Sequence, residues 1–279
     1  MKRFFLFSIG IIFSLSVFCI EKTDKEILDN YFEYTRFTVI MDTVQQLYMI
    51  RNALFFHETP YVAHTLENND EEQLVVNLRE LDCVTLVENV ITLRRTGLSR
   101  NRTMEQFQEE LQFVRYRDGI IDGYPSRLHY TSDWIANNEK NDVLRDITKE
   151  IGGVPIQFNV NLISTQYNSN KFLQNRPDFV QAMKEIEQEI NSRTYYYIPK
   201  NKIEEKKNEI RNGDIICFVT SREGLDISHV GIAYWVNIDK LGFIHASQTA
   251  GKVLIDPDSI ADYSAKISHN IGIIVLRVN

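Results

Sequence analysis

Residues 79–91 have the sequence RELDCVTLVENVI, which places one cysteine at the head of an apolar helical pattern. The side chain of Asp82 can accept hydrogen bonds from the unpaired N–H groups of a first helical turn, so we expect a helix to begin at Cys83. Apolar residues recur at helical spacing as far as Leu93, which predicts that this helix packs in the core. Two arginines and then Gly97 mark its expected end.

Cys83 is a candidate nucleophile because of this position. A thiol at a helix N-terminus lies near the positive end of the helix dipole and near unpaired N–H groups, which favour the thiolate and lower the thiol pKa. The alternative interpretation is that Cys83 is a small buried hydrophobic residue, as free cysteines often are. This stretch alone leaves both interpretations open.

The composition is that of a globular protein. The chain has 279 residues, enough for one domain, or one domain with a subdomain, around a full core. Hydrophobic residues make up 43% and charged residues 25% of the chain, which are ordinary fractions. The net charge is −7 and there is no long basic run, so no nucleic-acid partner is expected.

The first twenty residues have the features of a leader, with two cations followed by an apolar stretch. We expect a signal peptide over residues 1–20, a mature domain over residues 21–279, and export, in a bacterial cell to the periplasm. Cys19 offers the alternative of a lipid anchor that tethers the protein to a membrane. Lipoprotein signals have a small residue before the cysteine, where this chain has Phe18.

Two cysteines remain in the mature chain, so a disulfide framework is not expected. Cys217 lies in a near-continuous apolar run over residues 214–219, which predicts a buried strand. We therefore assign Cys217 to the core. A disulfide between Cys83 and Cys217 is the structural alternative for both thiols.

Hydrophobic spacing predicts a helical N-terminal half and a strand-rich C-terminal third. Helices are expected over residues 22–56, 71–78, 103–116, 178–192 and 204–211, and a strand over 154–163. Residues 115–134 have no clean period and are rich in glycine, proline, aromatic and polar side chains. Loops of this kind often carry recognition, although an ordinary ordered loop is equally consistent with the sequence.

Two histidines lie on consecutive predicted strands, His229 in SHVGIAYWV and His245 in GFIHAS. If the connecting turn places Val236 opposite Lys240, both side chains point to one face on diagonal positions. An odd register would separate them, and a bulge could decide either outcome. Two histidines on neighbouring strands, with a helix-terminal cysteine upstream, favour a general base and the residue that orients it.

The order of these motifs resembles the NlpC-type papain-like cysteine peptidases of bacterial cell walls, and more closely their N-acetylmuramoyl-L-alanine amidase-like branch. The matching segments are TPYVA (59–63), LDCVTLVEN (81–89), SRLHY (126–130), GDII (213–216) and GLDISHVG (224–231). The resemblance implies an α+β papain-like fold, with a helical N-terminal half packed on an antiparallel β-sheet. It also implies one cysteine amidase domain over residues 21–279 with a helical N-terminal extension.

By this resemblance Cys83 is the nucleophile, His229 the general base and His245 the residue that orients the base. Tyr61 matches the tyrosine that the family places near the oxyanion. A thiolate attack on an amide carbonyl, followed by protonation of the departing amine by His229, suits these residue types. The backbone N–H of Cys83 and a tyrosine hydroxyl are natural oxyanion donors.

The implied reaction is cleavage of the amide between the muramic acid lactyl group and L-alanine. The expected partner is therefore a muropeptide or anhydromuropeptide substrate, and neither a cofactor nor a metal is expected. Arg127, Asp133 and Trp134 are predicted to contact the stem peptide or the sugar. An endopeptidase that cuts within the stem peptide and a non-enzymatic wall-binding lipoprotein are the alternatives.

Two positions depart from the family pattern. Glu58 and His64 stand on either side of Tyr61, where the family usually has glycine. Glycine there would suit a backbone with positive φ, so a side chain could change the turn or narrow the cleft. Neither His57 nor His64 has the spacing of a helix metalloprotease, so we expect no zinc site in this segment.

Overall fold

The computed structural model describes residues 22–36 and 45–279 of the chain. The predicted signal peptide and Cys19 lie outside the described residues. The described helices are α1 (Asp24–Thr35), α2 (Gln45–Phe55), α3 (Cys83–Leu98), α4 (Met104–Arg115), α5 (Thr131–Lys140), α6 (Leu162–Thr165), α7 (Pro177–Ser192), α8 (Ile203–Lys206) and α9 (Ile260–Lys266). Among them there is none with the length and apolar character that a membrane span requires.

The strands form one antiparallel sheet. They are β1 (Leu144–Asp146), β2 (Val154–Ile156), β3 (Tyr195–Pro199), β4 (Ile215–Thr220), β5 (Ile227–Trp235), β6 (Leu241–Ser247), β7 (Lys252–Ile255) and β8 (Asn270–Val278). Their order is β2-β3-β8-β4-β5-β6-β7, and β1 pairs with β8 beside β3. Helices α1–α4 precede this sheet and α3 packs on β5, so the α+β prediction is confirmed.

Both faces of the sheet are covered, which explains the continuous apolar run of β4. Ile215 and Cys217 face the large core that contains α3. Ile216 and Phe218 alternate with them and face a second core with Ile260 of α9. Cys217 is fully buried, so the core prediction for it is confirmed. The thiols of Cys217 and Cys83 are both free, so no disulfide joins the two.

Helix α3 begins at Cys83, as predicted. The Asp82 carboxylate accepts a hydrogen bond from the Thr85 N–H at 2.8 Å, and the Thr85 hydroxyl accepts one from the Asp82 N–H at 2.9 Å. Reciprocal capping of this kind satisfies backbone groups that the first turn leaves unpaired. Further along, Glu88 forms a buried ion pair of 2.7 Å with Arg115, which joins α3 to α4.

Three predicted elements differ from the structure. Residues 71–78 are not helical, because distant side chains use their backbone groups: Asp24 accepts from the Leu78 N–H at 2.8 Å, and Arg115 donates to the Val75 carbonyl at 2.6 Å. The strand expected over 154–163 is limited to β2. The charged helix expected over 204–211 is a single turn, α8, followed by a 3₁₀ turn.

Residues 58–62 connect the sheet edge to the start of α3. On one side, the Tyr61 N–H donates to the Gly251 carbonyl at 2.9 Å, next to β7. On the other, the Leu81 N–H donates to the Pro60 carbonyl at 3.0 Å. This segment therefore fixes the position of the residues before Cys83 relative to the strands.

Candidate active site

Backbone N–H groups lie near the sulfur of Cys83. Those of Cys83 and Val84, at the start of α3, and that of Val230, on β5, each favour its charged form. Strands β5 and β6 pair from Ile232, opposite Ile244, to Trp235. Val230 precedes the first of these pairs. Cys83 thus meets β5 at the residue that follows His229.

The thiol of Cys83 is not acidic in this environment. Burial raises its pKa to about 12, the charge of Asp82 adds to the rise, and the three N–H groups oppose it only in part. The prediction of a lowered pKa was therefore wrong. The cost of removing the thiolate from water exceeds the stabilisation by the helix end.

The two histidines lie on one face of the sheet. Trp235 pairs with Leu241, which is the even register, one of the alternatives that the sequence left open. In this register His229 and His245 occupy diagonal positions, and His229 Nε2 lies 2.6 Å from His245 Nδ1. Gly231 is directly opposite His245, and a Cβ there would approach the Ile244 carbonyl to 3.0 Å and the His245 Cβ to 3.2 Å.

A carboxylate completes the arrangement. Asp256, the residue after β7, lies 3.0 Å from His245 Nε2 through its Oδ2. Burial disfavours its charge, but the hydrogen bonds from His245 and from the Asp258 N–H hold the pKa of Asp256 below its usual value. We did not predict Asp256, and its position directly after an edge strand beside β6 is the only sequence signal for it.

This chain of hydrogen bonds determines the tautomers. A carboxylate only accepts, so His245 carries its proton on Nε2 and accepts at Nδ1. His229 must then donate from Nε2, which leaves the lone pair of its Nδ1 available as a base. Burial, followed by the neighbouring His245, lowers the pKa of His229 to about 3, so its imidazole is neutral at physiological pH.

Two tyrosines flank these groups. Burial raises the pKa of Tyr61, and its proximity to Cys83 and Asp82 raises it further, so its hydroxyl stays protonated and can donate a hydrogen bond. The ring of Tyr263, on α9, has its centroid 5.9 Å from that of the His229 ring and 5.7 Å from that of the His245 ring. Sequence reasoning identified Tyr61 and missed Tyr263, which lies on a short helix of unremarkable pattern.

The predicted substrate-contact residues are buried in the protein. Arg127 is 7% exposed and its guanidinium lies 3.2 Å from the Glu72 carboxylate. Asp133 is 2% exposed and is held by Arg117 at 2.6 Å and by Arg193 at 3.4 Å. These positions do not support direct substrate contact by Arg127 and Asp133, because both charges are paired internally.

Trp134 is also buried, but it lines a small cavity next to Val84 and Val230. Of the three residues predicted to contact substrate, it alone adjoins the residues around Cys83. Within the described residues, no group of three or more His, Cys, Asp or Glu side chains is arranged to hold a metal ion.

Comparison with protein families gives a match to the AmiA-like family, described as N-acetylmuramoyl-L-alanine amidase-like, over residues 52–273. The match covers far more than half of the chain. The chain belongs to this family. Membership gives it an amidase-like function at the bacterial cell wall, and so a muropeptide or peptidoglycan substrate. Comparison with the curated proteins finds no match.

Solved structures agree with the family. An N-acetylmuramoyl-L-alanine amidase from Bacteroides uniformis is 38% identical, with a TM-score of 0.80 over 84% of this chain and 99% of its own. A Bacteroides fragilis structure under the provisional name of a xylanase is also 38% identical, with a TM-score of 0.77 over 81% and 99%. A Legionella pneumophila protein of the DUF1460 family is 25% identical, with a TM-score of 0.65 over 92% and 97%.

The two departures from the AmiA-like pattern both have positive φ. Glu58 has a φ of 71° and His64 a φ of 63°, which confirms that these positions require the conformation that glycine adopts easily. Glu58 forms an exposed ion pair of 2.8 Å with Lys252 on β7. The side chain of His64 is 81% exposed, so the backbone turn persists without glycine.

Proposed function

We propose that this AmiA-like chain is a cysteine hydrolase on a papain-like, NlpC-type scaffold. It cleaves the amide between (anhydro-)N-acetylmuramic acid and L-alanine in muropeptides. The observation that carries the proposal is the chain of hydrogen bonds from Asp256 through His245 to His229, with a cysteine at a helix N-terminus near Val230, the residue that follows His229. An oriented imidazole next to a thiol is the arrangement that nucleophilic amide hydrolysis needs.

The first half of the reaction forms a thioester. The resting thiol and imidazole are both neutral, so Nδ1 of His229 takes the thiol proton as the sulfur attacks the lactyl carbonyl carbon. The carbonyl oxygen becomes an oxyanion, for which the backbone N–H of Cys83 and the Tyr61 hydroxyl are the donors. The C–N bond then breaks, and the imidazolium of His229 gives its proton to the alanine nitrogen.

The second half regenerates the enzyme. His229 takes a proton from water as the water oxygen attacks the thioester carbonyl carbon. The C–S bond breaks, the muramic acid product leaves as a carboxylic acid, and His229 returns the proton to the sulfur. Asp256 stabilises the positive charge that passes through the two imidazoles, because its carboxylate accepts from His245 throughout.

The place of action is part of the proposal. A signal peptide over residues 1–20 directs the mature chain to the periplasm, where wall fragments are released, and Cys19 is the candidate for a lipid anchor. Mass spectrometry of the N-terminus of the exported protein tests this directly. A free amino group near residue 21 supports cleavage, and a diacylglyceryl group on Cys19 supports the anchor.

Mass spectrometry of muropeptides also tests the reaction. Purified fragments, both anhydro and reduced, are incubated with the mature protein and with Cys83→Ala. Release of free stem peptide and sugar by the wild type only is the expected result. Cleavage inside the stem peptide would replace the amidase by an endopeptidase on the same residues, and binding without cleavage of any fragment would indicate a wall-binding module.

A further inference from the structure

A cavity of about 20 Å³ lies under the start of α3, between α3, the beginning of α5 and the sheet. Most of its wall is aliphatic, formed by Val84, Val87, Leu128 and Val230. That volume is room for one methyl-sized group. A buried water needs two to four polar partners, so aliphatic walls favour an apolar occupant.

The cavity adjoins the reacting atoms. Val84 directly follows Cys83, and its side chain is 37% exposed, so this wall of the cavity reaches the surface. Val230 follows His229, and its backbone N–H is near enough to the sulfur to favour the charged form of Cys83. A substrate group in this cavity is therefore attached close to the carbon that the sulfur attacks.

One end of the cavity has two polar groups. His129 donates from Nε2 to the Tyr124 carbonyl at 2.8 Å, since a carbonyl only accepts, and its Nδ1 is therefore an acceptor. Trp134 is 4% exposed, and its indole N–H has no hydrogen-bond partner among residues 22–36 and 45–279. An unpaired buried donor is costly, so a ligand oxygen that accepts from Trp134 would be favoured here.

We propose that this cavity is a subsite for a methyl group on a carbon next to the scissile amide. The inference rests on the proposed function. In the proposed substrate both flanking carbons carry a methyl group, one in the lactyl ether and one in L-alanine. A carbonyl oxygen of the adjoining peptide, or the ether oxygen of the lactyl group, accepts from Trp134, and a peptide N–H donates to His129.

Substrate analogues test the proposal and distinguish the two methyl groups. One analogue has a glycolyl group in place of lactyl, and the other has glycine in place of L-alanine. We expect the wild type to lose roughly 10- to 200-fold in kcat/KM on one of them, which is the usual effect of one missing carbon in a hydrophobic pocket. Rates for both analogues within twofold of the natural fragment would overturn the proposal and leave the amidase proposal intact.

Two variants at one position sharpen the test. Val84→Leu fills the cavity, so it should slow cleavage of the natural fragment. The natural fragment and the analogue without the methyl group should then be cleaved with similar kcat/KM. Val84→Ala enlarges the cavity and should improve cleavage of a fragment with an ethyl group in place of that methyl. Val236→Leu, a valine 43% exposed at the end of the β5–β6 hairpin, is the matched control and should change neither ratio.

A binding measurement keeps the proposal testable even without hydrolysis. Calorimetry with Cys83→Ala compares the natural fragment with both analogues. A preference for the methyl-bearing fragment that Val84→Leu removes would support the subsite although the amidase proposal had failed. Equal binding of all three fragments would overturn the subsite.

Discussion

The N-terminus of α3 and the imidazole chain, which is the hydrogen-bonded series His229–His245–Asp256, are built in different ways. Around Cys83, the cap and two of the three N–H groups at the sulfur come from residues 82–85, within one helical turn. The chain from His229 to Asp256 joins β5, β6 and the residue after β7, and each link is a contact between separate strands. The proposed nucleophile is thus positioned by local structure, and the proposed base by the sheet.

The two regions also have different chemical roles in the proposed mechanism. Burial holds Cys83 protonated and His229 neutral, so the helix end alone does not supply a thiolate. In the proposed mechanism the proton moves to His229 during attack, which makes the oriented imidazole as important as the thiol. Each region can therefore be perturbed while the other stays intact.

The largest expected effect is from removing the base. His229→Ala should lower turnover on muropeptides roughly 10²- to 10⁴-fold, because it removes the proposed acceptor of the thiol proton. Steady-state kinetics measure the loss, and circular dichroism with thermal melting checks that the fold persists. Near-normal turnover in the folded variant would remove His229 from the mechanism.

Thiol labelling compares Cys83 with Cys217. Iodoacetamide should modify the half-buried Cys83 roughly 10²-fold or more faster than Cys217, which is fully buried and reacts only after unfolding. Because the pKa of Cys83 is raised, its labelling rate should increase steeply from pH 7 to pH 9. Mass spectrometry of tryptic peptides gives both rates, and fast labelling independent of pH would indicate a preformed thiolate.

Asp256 tests the far end of the imidazole chain. Asp256→Asn can donate to His245 and so favours the wrong tautomer, which should lower kcat/KM about 10- to 100-fold with little change in KM. Asp258→Asn is the matched control, since its side chain pairs with Lys266 at the surface and not with His245. Equal activity of the two variants would mean that the carboxylate does not orient the histidines.

The buried imidazole also predicts a stability change with pH. The folded pKa of His229 is about 3 and its unfolded value is near 6.5, so the folded state binds fewer protons between these values. The contribution is fully present above pH 6.5 and is lost as the pH falls towards 3, by a few kcal/mol. Urea unfolding of wild type and His229→Gln from pH 7 to 4 measures it, and parallel curves would contradict it.

The smallest effect concerns the turns around Tyr61. Glu58→Gly and His64→Gly should each stabilise the fold by about 0.5–1 kcal/mol. Glycine removes the strain of positive φ in the folded state, and its greater entropy in the unfolded chain offsets only part of that gain. Glu71→Gly, at an exposed position without positive φ, should not stabilise. Thermal melting measures all three, and a loss of stability at residues 58 and 64 would show that their side chains matter more than the backbone.

Features that depend on neighbours in the chain were determined by the sequence itself. The start of α3 follows from Asp82 and Thr85, three residues apart. The burial of β4 follows from its continuous apolar run. In each case the interacting groups are close in sequence, so pattern and capping rules are sufficient.

Features that depend on burial and distant contacts were decided only by the tertiary structure. The inclusion of Asp256, the internal pairing of Arg127 and Asp133, and the loss of the predicted helix over 71–78 all come from partners far along the chain. The same holds for the raised pKa of Cys83. A helix end favours the thiolate locally, but the desolvation that outweighs it arises when α3 packs against β5.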